Sequence, residues 1–360
     1  MSKTAFVWHE SYFWHNSGDG ALFEPAGGYI ENLGQSESPE SKRRVKNLLE
    51  RSGLIEELLV IKPSPATEVD LLRFHTQAHI DNVKHLSSTD GGYCGDSTIV
   101  GRGSYEIALL SAGGAITAVD TVVRGTAKNA YALTRPPGHH AQRGQGMGYC
   151  IFNNMVTAVK YAREVLGVGK ILIVDWDAHH GNGTEDAFIA DSDVLFVSLH
   201  QDGLEPIGRG LISNRGHGPG EGFTVNIPLP AGSGDAVYKY AFEQIVMPVA
   251  EKFAPELVLV SAGQDGNIFD PLARMMLSAA GYRHMTRELM KLSGGRLVCI
   301  HEGGYCPTYV PFCTHGIIEE LSGNKTDVGD PFIYAMAGTG YDKLLPHQKA
   351  AVDAAAVMLN

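Results

Sequence analysis

The chain has 360 residues, 44% apolar and 19% charged, with a formal net charge of −11 at pH 7. This length accommodates one large α/β domain or two ordinary ones, of which one is the simpler reading; no apolar run approaches the roughly 18 residues of a membrane span, so a soluble globular protein is expected. Only one short basic run, Lys42-Arg43-Arg44, interrupts the acidic balance, which excludes a phosphate-binding stripe for nucleic acid and favours neutral or cationic ligands.

The first residues carry no basic segment followed by an apolar stretch, so no secretory signal and a cytoplasmic location are expected. Cys94, Cys150, Cys299, Cys306 and Cys313 are odd in number and scattered, which argues for reduced, mostly core thiols rather than a disulfide framework or a Cys-rich zinc finger. Residues 4–8 read as the first strand. Ser38 and Pro39 read as the cap and first position of a helix through Val45, Leu48 and Leu49. Further β-branched runs at 130–134, 171–174, 194–199, 224–228, 257–261 and 296–301 read as strands buried on both faces. Helical patterns lie between them: Asn153 or Asn154 caps one that Gly167 ends, Pro248 should interrupt one beginning near Asp235, and Ser278 opens another. Strands alternating with helices indicate an α/β fold with a parallel sheet covered on both faces. After Gly323, Pro346 introduces an alanine-rich helical pattern to Leu359, a C-terminal extension (325–360) that either packs on a single 1–360 domain or mediates self-association.

Polar, glycine-rich stretches fall where the strands end, at 135–148, 175–184, 200–222, 263–270 and 302–308. Ligands of open parallel sheets bind outside the carboxyl ends of the strands, so five loops are expected to converge on one site.

Asp175-Trp176-Asp177-Ala178-His179-His180 follows the most apolar strand. Alternate residues of an extended segment face one way, so Asp177 and His179 can reach one ion while Asp175 sits behind them. Carboxylate with imidazole suits zinc or iron(II) better than magnesium or calcium. A catalytic zinc needs a third protein ligand, and Asp265, flanked by Gly263 and Gly266, is the best-placed candidate. His139 and His140 follow the rigid turn Arg135-Pro136-Pro137-Gly138 and can move protons near such an ion, with Asp175 and Asn182 available to orient them. Tyr305, after Glu302-Gly303-Gly304, can donate its hydroxyl to a developing oxyanion. Each feature alone has a plainer explanation: a capping loop, a turn aspartate, a surface histidine pair, a tyrosine finishing a strand. Their coincidence at strand ends is what points to catalysis.

Taken together, Arg135-Pro-Pro-Gly-His-His140, Gly148-Tyr-Cys-Ile-Phe-Asn-Asn154, Asp175-Trp-Asp-Ala-His-His-Gly-Asn-Gly183, Ser198-Leu-His200, Asp270-Pro-Leu-Ala-Arg274 and Glu302-Gly-Gly-Tyr305 resemble the histone deacetylase and acetylpolyamine amidohydrolase family, in its class II-like bacterial branch. The pieces run in family order over most of residues 1–324. The resemblance implies an arginase-like fold with a central, mainly parallel eight-stranded sheet. It implies one zinc held by Asp177, His179 and Asp265, His139 and His140 as general base and acid, and Tyr305 as electrophilic stabiliser. It also implies a structural potassium ion at Asp175, Asp177, His179, Ser198 and Leu199, and a homo-oligomer. Substrate contacts are expected at Gly148, Tyr149, Glu205 and Leu272, with Asp96, in the loop of residues 91–97, as a rim contact. The implied substrate is a small acylated amine or acetyl-lysine, with neither nucleic acid nor membrane as partner.

Two departures stand out. Gly263-Gln264-Asp265-Gly266 replaces the usual Gly-Phe-Asp-Ala around the third ligand. Glu205 stands where relatives place an aromatic before the proline of the acyl-lysine tunnel, while Tyr149 keeps the opposite aromatic wall. A carboxylate there should meet a cationic amine, Arg209 or water, which turns the expectation toward a small N-acylated amine such as an acetylpolyamine. Two other readings of these residues fit less well. A ureohydrolase needs carboxylates to bridge two metals, but Gly181 stands where its Asp-Ala-His-x-Asp run would continue. A non-catalytic binder of acylated amines would not need the full set of reactive side chains.

Overall fold

The computed structural model describes residues 3–21 and 24–358; Met1, Ser2, Leu22, Phe23, Leu359 and Asn360 lie outside the described residues. Its frame is a sheet of eight strands: β1 Thr4–Val7, β2 Leu59–Ile61, β3 Asn129–Ala132, β4 Ile171–Asp175, β5 Val194–Gln201, β6 Thr224–Leu229, β7 Leu257–Ala262 and β8 Leu297–His301. Their spatial order is β6-β5-β4-β7-β8-β3-β1-β2. Every neighbouring pair is parallel, so the sheet is wholly rather than mainly parallel. The seven strands read from apolar runs are all present. β2 is the addition, an edge strand of three partly exposed residues, too short to show a pattern.

Alternation along the strands feeds two cores. Leu172 and Val174 join Phe6, Val258 and Cys299 on one face, while Ile171 and Ile173 join Val7, Leu259 and Ile300 on the other.

Helices cover both faces. α1 is Glu40–Arg51, with Pro39 at the cap position in helical conformation and making no side-chain cap bond. Ser38 is therefore not the cap, and the helix starts later than the sequence suggests. Lys42, Val45 and Leu49 share the buried stripe of α1, so the basic run is only partly a surface feature. α2 is Ser104–Val123, 20 residues long; by length and composition it could cross a membrane, contrary to the expectation that no such run exists. Two thirds of it is buried, against α3 (Asn154–Glu164) and β3, so a core helix accounts for the composition. Asn153 caps α3 through the Val156 N–H, and α3 ends before Gly167. α4 is Asn182–Phe188. α5 (Asp235–Ala241) passes through a π-helical turn, Phe242–Val246, into α6 (Met247–Phe253), with Pro248 in the first turn of α6. The expected break thus falls where proline's missing N–H costs least. Ser278 caps α7 (Ala279–Leu289) by accepting from Ala280 and Gly281. α8 is Val310–Ser322. α9, Pro346–Val357, lies against β6 and α5, and Gln348 donates to the Gly232 carbonyl at 3.0 Å.

All five cysteines are free thiols, four of them buried.

Candidate active site

Five loops leave the carboxyl edge of β3, β4, β5, β7 and β8. Asp175 ends β4 between Ser198 of β5 and Ser261 of β7, so the loop that follows it starts at the centre of the sheet. Asp177, His179 and Asp265, all buried, bring one ligand atom each within 4.8 Å of one another. His179 Nδ1 lies 2.8 Å from Asp265 Oδ2 and 3.2 Å from Asp177 Oδ1. Backbone N–H groups hold the carboxylates in place: Gly303 donates to Asp177 Oδ2 at 2.9 Å, and Ala178 to Asp265 Oδ1 at 2.7 Å. Two glycines make this approach possible. A Cβ at Gly263 would sit 2.0 Å from Asp177 Oδ2, and one at Gly303 would sit 2.5 Å from Asp265 Oδ2.

Two buried carboxylates on one imidazole are electrostatically expensive unless a cation joins them. Burial first, then Asp177, pushes Asp265 up to about 6. Burial opposes charge on His179, but Asp265 and Asp177 outweigh it and raise its pKa to about 10. Carboxylate and imidazole donors at this spacing fit a divalent cation of borderline hardness.

Beside this triad the rings of His139 and His140 lie 4.0 Å apart. His139 Nδ1 is 3.1 Å from Asp175 Oδ2, and His140 Nδ1 is 2.8 Å from Asn182 Oδ1. The amide nitrogen of Asn182 faces Met147 Sδ, so its oxygen faces His140, whose proton sits on Nδ1 and whose Nε2 is left as the basic nitrogen. The two rings titrate in opposite directions. Burial works against charge on His139, yet Asp177 and Asp175 carry its pKa to about 10; burial together with His139 and His179 drives His140 well down. Glu302 fixes the backbone of this turn, accepting from Gly138 at 2.6 Å and His139 at 3.1 Å.

A cavity of about 270 Å³ reaches the triad at His179. His140, His179 and Tyr305 line its inner part; Met147, Gly148, Tyr149, Asp96, Ser97, Glu205 and Pro206 form its walls and mouth. The Tyr305 ring centroid is 6.4 Å from that of His179 and 5.9 Å from that of Tyr149. Asp96 ends a short strand, Gly92–Asp96, in a separate three-stranded sheet rather than lying in a loop, and faces Met147 across it. Gly148 has a φ of 53°, and a Cβ there would lie 2.6 Å from His140 Cδ2; only glycine lets this wall close on the histidine.

Two expectations need correction. Leu272 is buried and is not among the lining residues; its backbone instead donates to Asp270. Arg209 does not meet Glu205, because it pairs with Asp186 and, at 3.5 Å, with Glu185. Glu205 itself is exposed and accepts from the Ile207 N–H, so of the partners expected for it, water is available where Arg209 is not. Of the group expected at a potassium ion, Ser198 Oγ bonds His200 Nδ1 at 2.9 Å and Leu199 is buried beside it. Ser97 and Met147 line the cavity without a signal in the sequence, whereas Pro206, Asp270 and Glu302 belong to motifs that carry one.

The histone deacetylase domain profile matches residues 35–321. The chain is 46% identical over 336 residues to the histone deacetylase-like amidohydrolase of Pseudomonas aeruginosa, covering 91% of this chain and 88% of that protein. It is 38% identical over 305 residues to a probable deacetylase of Archaeoglobus fulgidus, covering 82% and 84%. The crystal structure of the HDA15 HD domain superposes with a TM-score of 0.84 at 32% identity, covering 99% of this chain and 98% of that one.

Proposed function

Because the chain belongs to the histone deacetylase family, we propose that it is a zinc-dependent amidohydrolase that converts an N-acylated amine into a carboxylate and a free amine. The observation that carries this reading is the meeting of Asp177 and Asp265 with His179, which lines the cavity together with His140 and Tyr305. The chemistry zinc supplies when bound is Lewis acidity toward the acyl carbonyl and toward water. His140 Nε2 takes the proton of the attacking water while Asn182 steadies the ring through Nδ1. The histidine pair returns a proton to the amine nitrogen as the C–N bond breaks, with Asp175 stabilising charge on His139. Tyr305 donates its hydroxyl to the oxyanion, a contact whose loss typically costs about 10²–10³-fold in rate. A structural potassium ion belongs with Asp175, Asp177, His179, Ser198 and Leu199, where β4 and β5 run side by side.

The substrate we infer is a small N-acylated amine with a second, cationic nitrogen, in preference to acetyl-lysine in a protein. Two exposed carboxylates, Asp96 and Glu205, stand at the cavity mouth, and among the described residues no lysine or arginine lines it. A panel of acetylated diamines, acetyl-lysine peptides and neutral amides, offered to zinc-loaded protein, tests both parts. Turnover of acetylated diamines with the best kcat/KM is expected; no chelator-sensitive hydrolysis of any amide would overturn the reading.

A further inference from the structure

Lys42 is 1% exposed on the inner face of α1. Val45 and Leu49 follow on the same stripe, so an apolar side chain at position 42 would continue the pattern without the cost of burying an ammonium. Glu37 offsets that cost poorly. Its Oε1 already accepts from Arg135 Nε at 2.9 Å, the Lys42 Nζ contact to the same oxygen is 3.4 Å, and Oε2 has no hydrogen-bond partner among the described residues. Two cations therefore share one carboxylate oxygen in the interior. The ring of Tyr305 also faces the ammonium, its centroid 5.7 Å from Nζ.

We propose that Lys42 is a positioning residue for Tyr305, a buried ammonium that holds the phenol ring in the cavity wall and places positive charge behind the oxyanion it serves. The negative face of the ring attracts the cation, and desolvation strengthens that attraction relative to a surface pair. Glu37 then has a second part: through Arg135, which begins the His139–His140 turn, and through Lys42, it ties both halves of the proton and oxyanion machinery to one carboxylate. The proposal rests on Tyr305 acting as the oxyanion donor described above.

Two readouts on Lys42→Met, Lys42→Gln and Lys42→Arg separate the two ideas. In protein labelled with 3-fluorotyrosine, the ¹⁹F resonance of Tyr305, assigned by its loss in Tyr305→Phe, should move or broaden in Lys42→Met and stay nearer the wild-type position in Lys42→Arg. On an acetylated diamine, kcat should fall about tenfold in Lys42→Met with KM within twofold, and Lys42→Arg should recover part of it. If the wild type hydrolyses no amide, the functional reading fails while the ¹⁹F comparison still decides the contact. An unmoved Tyr305 resonance with wild-type kcat in a folded Lys42→Met overturns the proposal; should that variant not fold, the same result in Lys42→Gln does so.

Discussion

The carboxylate of Asp270 accepts the backbone N–H of Tyr305 at 2.8 Å, tying the loop that carries Asp265 to the loop that carries the phenol. The other oxygen of Asp270 accepts from Leu272 at 2.9 Å. Replacing Asp270 with Ala strands both N–H groups, each at about 1–3 kcal/mol where buried. We expect Asp270→Ala to lower the melting temperature and to reduce kcat by at least tenfold, with Asp270→Asn intermediate because its amide keeps one acceptor. Thermal melts with steady-state kinetics check this; wild-type kcat in Asp270→Ala would show that Tyr305 is placed by other contacts.

Asn182 holds His140 by one bond, at Nδ1. Asn182→Ala should reduce kcat by roughly tenfold with unchanged zinc content, and His140→Ala by about 10²–10⁴-fold. Metal analysis beside the kinetics distinguishes loss of proton transfer from loss of the ion. If Asn182→Ala releases zinc, its part is structural instead.

Glu205 and Asp96 are exposed, so each can contribute only the modest energy of a solvated ion pair, about 0.2–1 kcal/mol. Glu205→Phe should raise KM for acetylated diamines up to about fivefold and improve acetyl-lysine peptides, and the diamine preference should weaken with added salt. An unchanged preference in Glu205→Phe removes this residue from substrate selection.

Asp235, partly buried where α5 meets α7, accepts from Ser278 N–H at 2.8 Å and Oγ at 2.5 Å. Burial first, with Asp342 and Asp330 adding, raises its pKa from 3.8 to about 6. The folded-state value lies above the unfolded one, so protonated Asp235 favours the fold: its contribution is complete below about pH 4 and is lost as pH rises through 6. After allowance for partial exposure, the loss is roughly 1–2 kcal/mol. In urea titrations, Asp235→Asn should gain that much on the wild type between pH 4 and pH 7. A pH-independent difference contradicts the assignment.

The continuous apolar runs of β4, β5, β7 and β8 made the sheet legible, because strands buried on both faces need no alternation to be recognised. The triad was legible because Asp177, His179 and Asp265 each sit within four residues of a strand end. What sequence could not supply was side-chain direction across loops. Arg209 stands four residues from Glu205, yet it turns toward Glu185 and Asp186 on α4. Lys42 opens a run of three basic residues, but helical periodicity puts it in line with Val45 and Leu49 and so beneath Tyr305. Leu272 carries a motif whose backbone, not its side chain, serves the site. β2 is too short for any periodicity to speak.

The most direct test of the account is zinc stoichiometry, measured by mass spectrometry of purified protein, in the wild type and in Asp265→Ala, alongside hydrolysis of a fluorogenic acyl-lysine amide. About one zinc per chain is expected in the wild type, with both metal and chelator-sensitive activity lost in Asp265→Ala. Full zinc occupancy or undiminished hydrolysis in a folded Asp265→Ala would show that the ion and the chemistry lie elsewhere.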